Sequence, residues 1–197
     1  MKLSEMRQVV DMLYDEWDLG KTPSRAVGKT CAWIYLFGIL EESTKVILEK
    51  ENQKVVGMCG YLKFGSKGKR RYQILRSILR HSPLIRNKKA LCQYDKNYDY
   101  TPEELKLDFD GEISILIVDR HYRNKGIGKK ILYKTFEKAK EDGIQNLQIL
   151  TDESCHFKFY EACGCQKVFE KRIYNIEPSK CGTLKYEMGY IYERNIN

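Results

Sequence analysis

Residues 112–128 read Glu112-Ile-Ser-Ile-Leu-Ile-Val-Asp-Arg-His-Tyr-Arg-Asn-Lys-Gly-Ile-Gly128. Ile113, Ile115, Leu116, Ile117 and Val118 form a short, largely β-branched apolar run, too short for a packed helix and suited to a buried strand. After a polar turn, Ile127, Ile131, Leu132, Phe136 and Ala139 recur at the spacing of one helical face, and Gly143 stops that helix. The stretch therefore predicts a central strand, a turn and an amphipathic helix. Within the turn, Arg123 to Gly128 present successive backbone N–H groups at a helix N-terminus, and the two glycines let another molecule approach the backbone closely. Such a turn is suited to holding a phosphate.

Downstream, Asn146 to Thr151 predicts a strand and Cys155 to Ala162 a short helix that turns at Gly164. Gln166 to Ile173 and Thr183 to Tyr190 read as two further strands closing the sheet as a long hairpin. Upstream, Leu3, Met6, Val10, Leu13 and Trp17 follow helical steps, so the chain opens with an amphipathic helix that Gly20 ends. Thr22 and Pro23 suit the cap and first residue of a second helix, with Val27, Cys31, Ile34, Tyr35 and Gly38 along one side. Lys45 to Glu49 and Val55 to Leu62 predict a hairpin ahead of the central strand.

Between that hairpin and the central strand lies an insertion of roughly fifty residues, about 65 to 110, far longer than the usual few-residue connection. Its first half predicts a helix, with Ile74, Leu75, Ile78 and Leu79 on one face and Arg71, Arg76 and Arg80 on other sides, broken by Pro83. Its second half is acidic, and Thr101-Pro102-Glu103-Glu104 looks like another helix start. No repeat or linker divides the chain, so residues 1–197 are read as one domain carrying this insertion.

Composition bounds the rest. At 42% hydrophobic and 31% charged the chain is an ordinary globular protein. No apolar run approaches the ~20 residues that span a bilayer, and the first residues lack a signal-peptide core, so a cytoplasmic protein without a membrane partner is expected. Seven cysteines, an odd number, argue against a disulfide framework. They form no ligand set with His81, His121 and His156, so no metal is expected. The formal charge of +8 comes from one segment: between Glu51 and Asp95 there are eleven Lys or Arg and no acidic residue. Such a cluster can bind nucleic acid or an anionic surface, but a solvated helix face, or steering of anionic ligands, is the commoner use. Nucleic acid is accordingly not the expected partner.

The strand, Val118-Asp119, Arg123-x-x-Gly126-x-Gly128 and the helix together resemble the acyl-CoA-binding core of the GCN5-related N-acetyltransferases (GNAT). Phe159-Tyr160-Glu161-Ala162-Cys163-Gly164 resembles that family's second motif, although Cys165 stands where an aromatic residue is expected, and the strand with which the family usually begins is not evident. The resemblance implies an α/β (α+β) fold with a mixed, mostly antiparallel central sheet flanked by helices. It also implies acetyl-CoA as co-substrate, with direct acetyl transfer to a primary amine of a small molecule or peptide. Leu116, Ile117 and Val118 would pair with the pantetheine arm, and the amides of Arg123, Asn124, Lys125, Gly126, Ile127, Gly128 and Lys129 would grip the pyrophosphate. Glu112 falls at the place of a general base, with Asp110 and Asp108 as fallbacks; the Val118 N–H would be the oxyanion donor and Tyr160 the acid for the leaving thiolate. Cys155-His156 is a poor nucleophile–base pair, because sequence neighbours on a helix diverge. Many relatives form dimers, which leaves a homodimer open. The competing reading is a non-catalytic acyl-CoA- or nucleic-acid-binding module that uses the basic insertion.

Overall fold

The computed structural model describes residues 1–17, 19, 22–85, 108–153, 155–175 and 185–196. The acidic half of the insertion with its expected helix at Thr101-Pro102, the Gly20 stop, Arg86, Lys88, Lys89, Cys92, Cys181 and the first residues of the last strand lie outside them. The described elements are α1 (Leu3–Glu16), α2 (Arg25–Glu42), β1 (Lys45–Glu51), β2 (Lys54–Lys63), α3 (Arg70–Arg80), β3 (Gly111–Val118), α4 (Ile127–Glu141), β4 (Asn146–Asp152), α5 (Lys158–Ala162), β5 (Gln166–Asn175) and β6 (Lys185–Asn195). No strand precedes α1 among the described residues.

The six strands form one sheet in the order β1-β2-β3-β4-β6-β5. All neighbours are antiparallel except β3 and β4. Two apolar layers flank the sheet. Ile131, Leu132, Phe136 and Ala139 of α4 pack with Cys59, Tyr61, Leu147 and Ile149 on one face. Val9, Val10 and Leu13 of α1 and Ala32, Leu36 and Leu40 of α2 cover Met58, Ile115 and Ile117 on the other. The helix α2 is apolar on nearly every side because it is wedged between α1, α3 and the sheet, the situation in which an all-round apolar helix is stable.

Three local readings change. The cap of α2 is Ser24, whose hydroxyl accepts from the Val27 N–H at 3.3 Å, while the Thr22 hydroxyl donates to the Leu19 and Ser24 carbonyls instead. Both residues suit a cap, and the turn that Thr22 closes moves the helix start on by two. Leu3 is exposed, and Val9 takes its place on the buried side of α1. The third concerns α3, which the 3.6-residue period placed correctly but whose packed side it did not identify. Tyr72 is buried, and Arg76 turns inward to Glu41 and Glu42 at 3.7 and 3.9 Å, lying over Gly38, where an added Cβ would sit a tight 3.1 Å from the guanidinium carbon. The acids at the end of α2 call for a cation there, so Ile74, Leu75 and Ile78 face outward.

Candidate functional site

The site is built on a divergence in the sheet. β3 and β4 pair only through Gly111↔Leu147 and Glu112↔Gln148, so β3 from Ser114 onward has β2 on one edge and no described strand on the other. Ser114 is the extra residue of a β-bulge, since Tyr61 faces Ile113 and the next residue, Gly60, faces Ile115. A bulge adds local twist and re-aims side chains, and this one sits where the two strands part. Its hydroxyl is within 2.8 Å of that of Ser43, the residue ending α2.

Beyond the bulge the backbone alternates regularly. The Asp119 N–H donates to the Val56 carbonyl at 2.9 Å, so the preceding Val118 directs its N–H and C=O to the opposite, open edge, as does Leu116. The Arg123 Nε donates to the Val118 carbonyl at 3.2 Å, which confirms that direction. Its guanidinium also pairs with Glu16 of α1. The arginine of the turn is thus a staple joining strand, turn and α1.

Asp119 opens a short 3-10 turn, Arg120–Tyr122, by accepting from the His121 N–H at 3.0 Å, and Lys54 holds its carboxylate at 2.9 Å. The chain then takes left-handed conformations at Asn124 (φ 61°) and Gly126 (φ 75°), the latter capping α4. Asparagine and glycine are the residues that tolerate this geometry. At Gly128 an added Cβ would lie 3.4 Å from the Phe159 ring and 3.7 Å from Val118, so turn, strand and α5 meet at that glycine. The first amides of α4 have no partner within their helix, and no acidic side chain lies in its first turn. The Lys125 ammonium stands 4.8 Å over the Tyr122 ring and that of Lys129 5.7 Å from Tyr133.

Glu112 lies at the other end of β3. Its carboxylate accepts from Gln148 Nε2 at 2.7 Å, and Gln148 is itself buried. Burial pushes the Glu112 carboxyl above the ordinary carboxylate range; the Gln148 hydrogen bond pulls it down and the charge of Glu42 adds to the rise. Asp110 differs. Its carboxylate accepts from the Asn146 and Gln145 N–H groups at 2.9 and 2.8 Å, which hold its pKa below the usual range and make it a loop clasp. Asp108 is exposed.

Tyr160 on α5 packs edge-on against Phe159 (5.4 Å between centroids) and tilted against Tyr192 (5.8 Å), within the α4-side core. Burial, and then the neighbouring thiols led by Cys59, raise its phenol above the ordinary value. Cys59 faces Leu116 across the β2–β3 pair. The rest of the second motif is structural. Tyr192 donates to Glu161 at 2.8 Å, Gly164 turns at φ 76° under Arg194, and Cys165 fills the expected aromatic position as a buried core residue. Burial pushes the Cys59 and Cys165 thiols up to about 12, so neither serves as a nucleophile at neutral pH.

Gln148, Ser114 and the Arg123–Glu16 pair carried no signal in the sequence, being a strand residue, a serine in an apolar run and a long-range contact. A cavity of about 290 Å³ opens beside Val118, lined partly by Asp11, Asp15, Glu16 and Asp119. Each of these acids has a basic partner: Lys29, Arg120, Arg123 and Lys54. The cavity is therefore no unopposed cation site. No group of three or more possible metal ligands occurs among the described residues.

Known proteins resemble this chain in part of its sequence and in its fold. A model of the acetyltransferase (GNAT) family matches residues 91–165. The chain is 27% identical over 82 residues to an N-alpha-acetyltransferase RimI of Mycobacterium tuberculosis, a match over 41% of this chain and 51% of that protein. The chain thus spans about half the length of this curated relative. Among solved structures, a Pyrococcus horikoshii OT3 protein superposes with a TM-score of 0.61 at 15% identity, covering 99% of this chain and 94% of the other. An N-acetyltransferase from Staphylococcus aureus Mu50 gives 0.56 at 16% identity, covering 100% and 96%. These two likenesses show a shared fold.

Proposed function

We propose that this chain, which a model of the acetyltransferase (GNAT) family matches over residues 91–165, is an N-acetyltransferase that moves an acetyl group from acetyl-CoA directly to a primary amine of a small molecule or peptide. The observation that carries this reading is the parting of β3 from β4: the open edge exposes the Leu116 and Val118 amides and leads directly into the left-handed turn at the start of α4.

In this reading the pantetheine arm lies along Leu116 to Val118 as an added strand, and the pyrophosphate rests on the amides from Arg123 to Lys129, with Lys125 and Lys129 nearby. The acceptor arrives as an ammonium with a pKa of about 10, so at neutral pH only about one molecule in a thousand is neutral. Glu112 takes the proton, and its raised pKa suits a base better than an ordinary carboxylate would. The nitrogen lone pair then attacks the thioester carbonyl, an edge amide holds the oxyanion, and collapse breaks the C–S bond while Tyr160 protonates the departing sulfur.

Distances sharpen the roles. Six residues separate Glu112 from Val118, about 20 Å along a strand. Leu116, on the same edge, is about 13 Å from Glu112. The Val118 N–H, or that of Leu116 on the same edge, holds the oxyanion, and Glu112 reaches the acceptor through bound water. Tyr160 keeps its proton until a thiolate forms in the same dry environment, because burial disfavours the phenolate and the thiolate alike. Two core layers on one sheet support a single domain.

Thiol release from acetyl-CoA in the presence of a panel of amines tests the proposal. We expect turnover on at least one amine, a loss of about 10²-fold or more in E112Q, and a comparable loss in kcat with unchanged acetyl-CoA binding in Y160F. Tight CoA binding without turnover on any amine would favour a binding module instead.

A further inference from the structure

Five of the eight large hydrophobic side chains that stand exposed among the described residues fall between positions 64 and 84. Ile78 is 61% exposed, Ile74 50%, Leu84 46% and Leu75 42%. They do not face outward for want of a neighbour, since α3 is firmly seated on α2 through Tyr72, Leu79 and the Arg76–Glu41 pair. The outward arc is a second, separate face. Arg70, Arg71 and Arg80 are exposed on the same helix, and Lys67 just before it. This face lies inside the stretch that holds eleven basic residues and no acidic one.

That combination selects a partner. A second copy of this face would set like charge against like charge. Nucleic acid would use the arginines but leave Ile74 and Ile78 against phosphates and water. An anionic bilayer surface satisfies both: aliphatic side chains enter the boundary between headgroups and acyl chains while guanidinium and ammonium groups stay with lipid phosphates. We propose that α3 seats this protein on anionic lipid surfaces, with Ile74, Leu75 and Ile78 as the inserting residues and Lys67, Arg70 and Arg71 as the headgroup contacts. No described helix is long and apolar enough to cross a membrane, so the attachment is peripheral. It departs from the expectation that the chain has no membrane partner, and it is independent of the acetyl-transfer reading.

Co-sedimentation of the full chain with vesicles tests it. Phosphatidylglycerol-containing vesicles should carry the protein down, pure phosphatidylcholine vesicles should not, and added salt should release it. The double variant I74S/I78S should weaken binding about tenfold or more. K67Q and R70Q should each weaken it roughly fivefold. These residues are exposed, so the variants should keep the wild-type circular dichroism and Tm, which separates lost binding from lost folding. Absence of binding to the anionic vesicles overturns the proposal, and so does vesicle binding indifferent to I74S/I78S. Salt-sensitive binding to a DNA duplex that vesicles do not compete, or a dimer that I74S/I78S dissociates without any vesicle binding, overturns it as well.

Discussion

The balance at Glu112 sets a pH at which the site should work. Its carboxyl is raised because burial disfavours the charge, and the one hydrogen bond favouring the ionised form comes from Gln148. A base must be ionised, so the acid limb of the kcat/KM profile should lie above the ordinary carboxylate range. Q148L removes that hydrogen bond at nearly constant volume, which should push the Glu112 pKa further up and move the acid limb to higher pH. Activity should fall at mildly acidic pH and recover as pH rises; a merely structural role for Gln148 would lower the rate at every pH alike. The sign for stability is the reverse of the usual carboxylate case. A raised folded pKa means the native state holds this proton more tightly than the unfolded chain, so stability is lost as pH rises from the unfolded pKa through the folded one. A profile whose acid limb does not move in Q148L would falsify the pairing of base and amide.

Element by element, period and punctuation told where the chain is helical or extended, because those signals are local. The Asn52-Gln53 turn between β1 and β2, both residues at positive φ (48° and 65°), and the strand–turn–helix at Val118 to Ile127 were readable for the same reason. What a neighbour decides was not readable. The period groups Ile74 with Ile78 but does not say that Arg76 faces α2. Nothing at Ser114 announces a bulge, since the extra residue exists only relative to β2. The motif fixes Arg123 in the turn, while the partners of its guanidinium are Val118 and a residue of α1 far away in sequence. A tie of this long-range kind also joins β1 to α4. Glu49, 9% exposed, accepts from Lys134 at 2.7 Å and pairs with Lys130. Burial pushes its carboxyl up, but the two ammonium groups outweigh that and hold it below the usual range. Its stabilisation is present above the unfolded carboxylate pKa and fades as pH falls through the folded one. Because both lysines are about half exposed, E49Q should cost only about 1 kcal/mol at neutral pH. That is a fall in Tm of about 2–4 °C. The gap to wild type should close as the pH is taken below the carboxylate range.

At the scale of the molecule, β3 is the strand on which both core layers converge: Ile115 and Ile117 serve the α1–α2 side, Leu116 and Val118 the α4 side. Its open edge is also where the proposed arm would dock, so a ligand there completes the sheet at its one discontinuity. Binding to the native state alone stabilises by RT ln(1 + [L]/Kd), about 2.7 kcal/mol at a hundredfold excess over Kd. For a chain of this size that is a rise in Tm of roughly 5–10 °C. Acetyl-CoA should produce it in a single unfolding transition, because the edge it fills belongs to both layers. An acetyl thioester of cysteamine, which lacks the pyrophosphate, should produce little, since it leaves the turn from Arg123 to Lys129 empty. R123A unfastens the turn from Val118 and Glu16 and should reduce the acetyl-CoA shift, whereas Y160F should keep it in full while thiol release collapses. The pair of variants separates holding the donor from using it. If acetyl-CoA leaves the Tm where it was, the open edge is not a CoA site, and the transferase and the acyl-CoA-binding readings fail together.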